Sequence, residues 1–220
     1  QDVDLSHFTR IAIAGNPTMM HLFAGVNPVS IALAPFTPVF TDHKIIPAED
    51  LGIRCNQKAF VHLPPSVSGY VGSDIVAGIA SVMGENIGTY LYIDIGTNGE
   101  MALVTPDQIL CCATAAGPAF EGANISCGTG AFNGAIWKYD NGLFETVSNS
   151  PPIGICGSGF VDITANMIAS GIAACKRIRK DPLLISPSSG RWHDYDITIT
   201  QTDIREIQLA KSAIATGISI

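Results

Sequence analysis

The stretch from Leu91 to Glu100, Leu-Tyr-Ile-Asp-Ile-Gly-Thr-Asn-Gly-Glu, constrains this chain more than any other. Its apolar and β-branched opening predicts a buried strand, Asp94 falls where that strand ends, and Gly96, Thr97, Asn98 and Gly99 predict a turn. Glu100 to Thr105 predicts a returning strand, so the whole reads as a hairpin with a carboxylate at its mouth. Such a turn suits a phosphate. Glycines let backbone N–H groups approach an anion closely, Thr97 and Asn98 add side-chain donors, and Asp94 can hold a hydrated Mg2+ that offsets the phosphate charge. A plain tight hairpin fits the same letters, since Asn-Gly is a strong turn signal by itself. Two further glycine-rich segments, Ala116 to Gly130 and Gly154 to Gly159, both entered from apolar runs, weigh toward a ligand.

A chain of 220 residues buries a full core and fits one large domain or two small lobes. With 14% charged residues against 47% hydrophobic ones, it belongs with globular α/β proteins. A net charge of -7 with only 12 Lys and Arg leaves no basic stripe to replace counterions, which argues against a nucleic-acid partner. Apolar runs break well before the ~20 residues of a membrane span. The chain therefore reads as soluble and cytoplasmic, with no membrane partner. Its cysteines (Cys55, Cys111, Cys112, Cys127, Cys156 and Cys175) contain no Cys-x-x-Cys, so neither zinc nor iron–sulfur ligation is written in the sequence, and reduced thiols are expected. Gln1 just before a strand, and Ile220 inside a helical pattern, read as the ends of a piece of something longer.

In chain order, Phe8 to Ala14 predicts a strand that feeds, through Gly15-Asn16, a helix from near Pro17 to Gly25. His21 on that helix reads as a packing residue. Asn27 to Gly52, with four prolines, reads as a long surface connection, and Ala59 to Leu63 as a short strand. A helix follows from Asp74 to Met83, capped by Ser73 or Asp74, with Gly78 permitting close packing. Gln108 to Ala113 predicts another strand. The small-residue segment Ala115 to Ala123 is suited to close approach by a ligand or by backbone, and Glu121 in it is either a carboxylate at a cleft or a solvated loop acid. Asp140-Asn141-Gly142 between Phe132–Trp137 and Leu143–Val147 is a hairpin signal. Gly157-Ser158-Gly159 opens a helix whose free N–H groups favour an anion, without Gly-x-Gly-x-x-Gly and without a Walker lysine. Lys176, Arg177, Arg179 and Lys180 read as a solvated basic cluster. Asp196 to Thr200 predicts a strand, and Thr200 with Asp203 resembles a capping box for a last helix striped by Ile204, Ile207, Ile214 and Ile218. Lys211 falls on that stripe and either snorkels outward or meets a charge.

Several long motifs in order carry a resemblance over nearly the whole chain. Asp94-Ile-Gly-Thr-Asn-Gly-Glu100, Thr114-Ala-Ala-Gly-Pro-Ala-Phe-Glu-Gly-Ala-Asn124, Gly154-Ile-Cys-Gly-Ser-Gly159 and Asp203-Ile-Arg-Glu-Ile-Gln-Leu-Ala-Lys211 resemble the C-terminal ATPase domain of the reductive activators of corrinoid proteins. That domain belongs to the superfamily of actin, sugar kinases and heat-shock chaperones. Ile13 to Met19 and Pro65 to Asp74 fit as well. The resemblance implies an α/β fold of two ribonuclease-H-like lobes, incomplete here. Residues 1–88 would be the end of the first lobe with its connecting helix, and 89–220 most of the second.

It also implies ATP and Mg2+ as cofactors. Asp94 would position the metal and the attacking water, and Gly96, Thr97, Asn98 and Gly99 would cradle phosphate. Gly117, Gly157, Ser158 and Gly159 would line the nucleotide side or the lobe interior, with Glu121 and Lys211 completing the cofactor-binding set. The first phosphate loop, the adenosine loop and a ferredoxin-like [2Fe-2S] domain are expected only in other parts of the parent, and Gly128 to Gly134 departs from the family's wording. The fragment alone is expected to be inactive. The implied activity is ATP-driven return of a Co(II) corrinoid protein of a methyltransferase system to Co(I), with a homodimer as a further expectation. Alternatives are a small-molecule kinase, an activator of a 2-hydroxyacyl-CoA dehydratase that would use Cys127 and Cys156 for a [4Fe-4S] cluster, and a docking module that does not bind nucleotide.

Overall fold

A computed structural model describes residues 4–83, 88–174, 177–178, 182–187 and 195–220. They form two compact units, one of Gln1–Asp94 with Glu100–Ala113 and one of Ile95–Gly99 with Thr114–Ile220.

In the first unit, β1 (Arg10–Ala12) leads into α1 (Pro17–Phe23) and the single-turn α2 (Val29–Ala32). Next come β2 (Lys44–Pro47) and β3 (Phe60–Leu63), giving a sheet of order β1-β3-β2, parallel between β1 and β3 and antiparallel between β2 and β3. Asn16 caps α1 by accepting the Met19 N–H, with Pro17 at the first helical position, where its missing N–H costs nothing. His21 packs as expected. It is buried, its Nδ1 lies 2.7 Å from the Pro17 carbonyl, and its Nε2 accepts the Val39 N–H. Val61 and Leu63 are fully buried against Met20, Ala48 and Ala59.

The span from Asn27 to Gly52, expected as a long surface connection, is not a plain loop: it holds α2, β2 and a 3-10 turn, Ala48–Leu51. Its prolines mislead for a positional reason: Pro47 ends an edge strand, where a missing N–H costs no ladder bond.

Helix α3 (Ser73–Val82) packs Val71, Ile75 and Ile79 against Ala102 and Val104 of a second sheet of order β4-β5-β6, made of Tyr90–Ile95, Gly99–Val104 and Ile109–Thr114. Its cap is Gly72, which uses no side chain, and not Ser73 or Asp74. Ser73 is committed elsewhere: its hydroxyl both accepts the Gly15 N–H and lies 3.1 Å from the Gly15 carbonyl. Gly78 permits close packing as predicted, since a Cβ there would collide with the Tyr92 hydroxyl. β4 is not the uniformly buried strand its letters suggest. Tyr90 and Tyr92 face the core with α3, whereas Leu91, Ile93 and Ile95 stand partly exposed. At this edge of the sheet only the side toward α3 is packed, so β4 buries residues only at alternate positions.

The second unit contains β7 (Ala135–Asp140), β8 (Leu143–Thr146), β9 (Gly154–Ile155), α4 (Gly157–Ala169), β10 (Ala173–Ala174), β11 (Arg177–Ile178), β12 (Leu183–Ser186), β13 (Ile197–Ile199) and α5 (Gln201–Ser219). Asn141 and Gly142 both have positive φ, the backbone that a two-residue hairpin turn requires, and β7 and β8 close around them as the sequence predicts. The core joins Ile136, Ile155, Phe160, Ile163, Met167, Ile197, Ile199, Ile204, Ile207 and Ala210. Apart from the strand Arg177–Ile178, the basic cluster around Lys176 to Lys180 lies outside the described residues, as does Cys175.

Candidate functional site

Asp94, the candidate metal ligand, is half-buried near the end of β4, on the strand face that carries Tyr92. Tyr92 sits among acids. Burial first, then the charges of Asp94 and Asp74, push its phenol above the ordinary 10.0. Asp74, in the first turn of α3, thus joins Asp94 in one local field. The sign follows from linkage. The folded chain holds Tyr92 neutral to higher pH than the unfolded chain does, so its contribution is full below about pH 10 and is lost as pH rises through the folded value. We expect the Tyr92 phenol, followed by NMR of labelled tyrosine, to titrate above the ordinary value and to move back toward it in Asp94→Asn. No movement in that variant would separate the two groups.

The turn after Asp94 is a three-residue loop, Gly96-Thr97-Asn98, with Gly99 already in β5. Neither Asn98 nor Gly99 lies in the left-handed region, so this is not the Asn-Gly turn that the letters permit. The Gly96 N–H donates to the Asn98 carbonyl at 2.9 Å, and the Thr97 carbonyl accepts the Gly117 N–H at 2.8 Å. Gly117 has φ +77, a conformation open chiefly to glycine. The Thr97 N–H donates to Glu121 Oε1 at 3.0 Å, and the Thr97 hydroxyl donates to Oε2 at 2.6 Å. The loop therefore already receives an anion. Glu121, on the 3-10 turn Pro118–Glu121, places two carboxylate oxygens on the backbone and hydroxyl donors expected to meet phosphate oxygens. The same donors suit phosphate oxygens, whose place the Glu121 carboxylate takes here.

The remaining candidates are placed differently. A Cβ on Gly157 would strike the Phe120 carbonyl, and one on Gly159 the Ile136 carbonyl, so both glycines serve backbone packing at the start of α4. Ser158 donates its hydroxyl to the Trp137 carbonyl at 2.9 Å. Lys211 is exposed on α5, where Ala210 takes the buried position beside it. The Cys156 thiol is buried and donates to the Ile136 carbonyl at 3.3 Å, while Cys127 Sγ lies 3.7 Å from the Asp196 carbonyl and accepts the Thr198 N–H. Both thiols are engaged by backbone groups of distant residues, which does not suit a shared cluster. Among the described residues, no group of three or more His, Cys, Asp or Glu is arranged to hold a metal, and no helix is long and apolar enough to cross a membrane.

Sequence reasoning missed the part played by Asp203. The predicted capping box with Thr200 is present, but the same fully buried carboxylate also accepts the Ser126 N–H at 2.8 Å and the Ser126 hydroxyl at 3.1 Å, tying the 123–128 loop to α5. A bond across that sequence separation leaves no local signal.

These features define an ASKHA-type ATPase fold. Residues 88–220 match the family model described as the C-terminal domain of RACo, the ASKHA domain, and residues 1–85 match the RACo middle region. The chain belongs to this family, the reductive activators of corrinoid proteins. It is 34% identical to the corrinoid activation enzyme RamQ of Eubacterium limosum over 98% of this chain and 40% of that protein. It is 28% identical to the [Co(II) methylated amine-specific corrinoid protein] reductase of Methanosarcina barkeri over 97% of this chain and 45% of that protein. A solved structure of a reductive activator for corrinoid, iron-sulfur protein superposes with TM-score 0.88 at 35% identity, covering 99% of this chain and 38% of that one. The chain thus spans less than half the length of the relatives it matches.

Proposed function

We propose that this chain is the nucleotide-handling part of an ATP-dependent reductive activator that returns a Co(II) corrinoid protein to Co(I). The family match over both stretches carries this reading. Supporting it is a loop beside Asp94 whose Thr97 donors grip a carboxylate as they would a phosphate. In this reading Asp94 holds Mg2+ and orients water, Gly96 to Gly99 bind phosphate, and Glu121 yields its place on Thr97 when nucleotide arrives. Gly117 shapes the loop, and Gly157, Ser158 and Gly159 act by packing the start of α4 against its neighbours. Mg2+ supplies charge neutralisation of the phosphates. Electrons come from an iron–sulfur centre elsewhere in the parent, and a corrinoid protein of a methyltransferase system is the partner.

ATP does work here only by favouring one conformation that binds the partner differently. The engaged thiols of Cys127 and Cys156 count against the dehydratase-activator alternative. To test the reading, the full-length protein is mixed anaerobically with reductant and a Co(II) corrinoid protein, and the Co(I) absorbance is followed. Co(I) accumulation that requires Mg-ATP supports it. Equal accumulation without nucleotide contradicts it.

A further inference from the structure

We infer that His43 and His62 form a binding site for a divalent transition-metal ion of the zinc class, separate from the phosphate chemistry at Asp94. His62 lies in β3, the central strand of its sheet, and His43 immediately precedes β2. Ile45 pairs with His62 across the ladder, so alternation puts His43, Ile45 and His62 on one face, opposite the buried Val61 and Leu63. His62 is therefore offered by a paired strand and His43 from the position that leads into its neighbour, both away from the core.

Their geometry suits a shared ion. His62 Nδ1 and His43 Nε2 are 3.4 Å apart. The ring planes are within 19° of each other and the centroids 5.5 Å apart. The nitrogen gap is shorter than the centroid gap, so the two nitrogens lie between the rings and face each other. With Zn–N bonds of about 2.0–2.1 Å, two ligands of a tetrahedral ion stand about 3.4 Å apart. A tilt of the exposed His43 ring brings the two lone pairs onto one point. Without metal, one ring donates a proton to the other across this gap. On binding, that ring carries the proton on its far nitrogen instead, both rings stay neutral, and water completes the shell. Neutral imidazole favours zinc, copper and nickel over the oxygen-seeking Mg2+, which keeps this site chemically distinct from a nucleotide metal. His21 does not compete, because both its ring nitrogens are engaged by backbone.

The test is calorimetric titration of Zn2+ into the full-length protein, the His43→Ala and His62→Gln variants, and the double variant. His43 is exposed, so its replacement leaves the fold intact even if His62→Gln does not. The site predicts that each single change weakens one Zn2+-binding event by at least about tenfold and that the double change adds little, because a chelate is lost with its first ligand. Zn2+ binding that is unchanged in His43→Ala, or additive losses in the double variant, overturns the proposal and assigns the metal to thiols or other groups.

Discussion

In the full-length protein, Asp94→Asn is expected to lower the rate of ATP hydrolysis by about 100-fold or more, the loss that follows if Asp94 holds the metal as proposed. Asparagine keeps the shape of the side chain, so the hairpin and its packing against α3 survive. What disappears is the anion proposed to neutralise Mg2+ and orient water. Nucleotide binding should fall less than hydrolysis, because the Thr97 loop retains its donors. A steady-state assay with parallel thermal melts separates the two effects. Unchanged turnover in a folded variant would remove Asp94 from the chemistry and return it to the role of a turn-bonding carboxylate.

The second large effect is on stability. Asp203→Ala destabilises the second unit by about 2–4 kcal/mol, combining a lost helix cap with lost hydrogen bonds to a charged acceptor. Asp203 is fully buried and receives the Thr200 N–H on one oxygen and both Ser126 donors on the other. Alanine strands those donors, frees the start of α5 and loosens the loop carrying Cys127. Asp203→Asn should cost less, since one oxygen can still accept from Ser126 while its amide faces the Thr200 N–H. Denaturant unfolding measures both, and a loss below about 0.5 kcal/mol for alanine would mean that water replaces the network.

Where local rules governed, the sequence was legible. Pro17 after Asn16, Asn141-Gly142, and Thr200 with Asp203 each announce an element end through backbone chemistry that acts within a few residues. The core stripe of α5 was legible at Ile204 and Ile207, but Lys211 and Ile218 are exposed, because the stripe ahead of them runs through Ala210. The β4 run looked uniformly buried, since composition cannot show that β4 is an edge strand with only its α3-facing side covered. At the site, Asp94 and the glycine loop were legible as a motif. Thr97 held by Glu121, Tyr92 lodged against Gly78, and the His43–His62 pair were not, because each joins residues that only the folded chain brings together.

Whether this chain recognises a nucleoside triphosphate is decided by calorimetric titration of Mg-ATP into the full-length protein. Saturable binding, weakened when Thr97 is replaced by alanine, is the predicted result. Absence of heat from a folded protein that still docks a corrinoid protein would leave a binding module in place of an ATP-driven one and rule the nucleotide reading out.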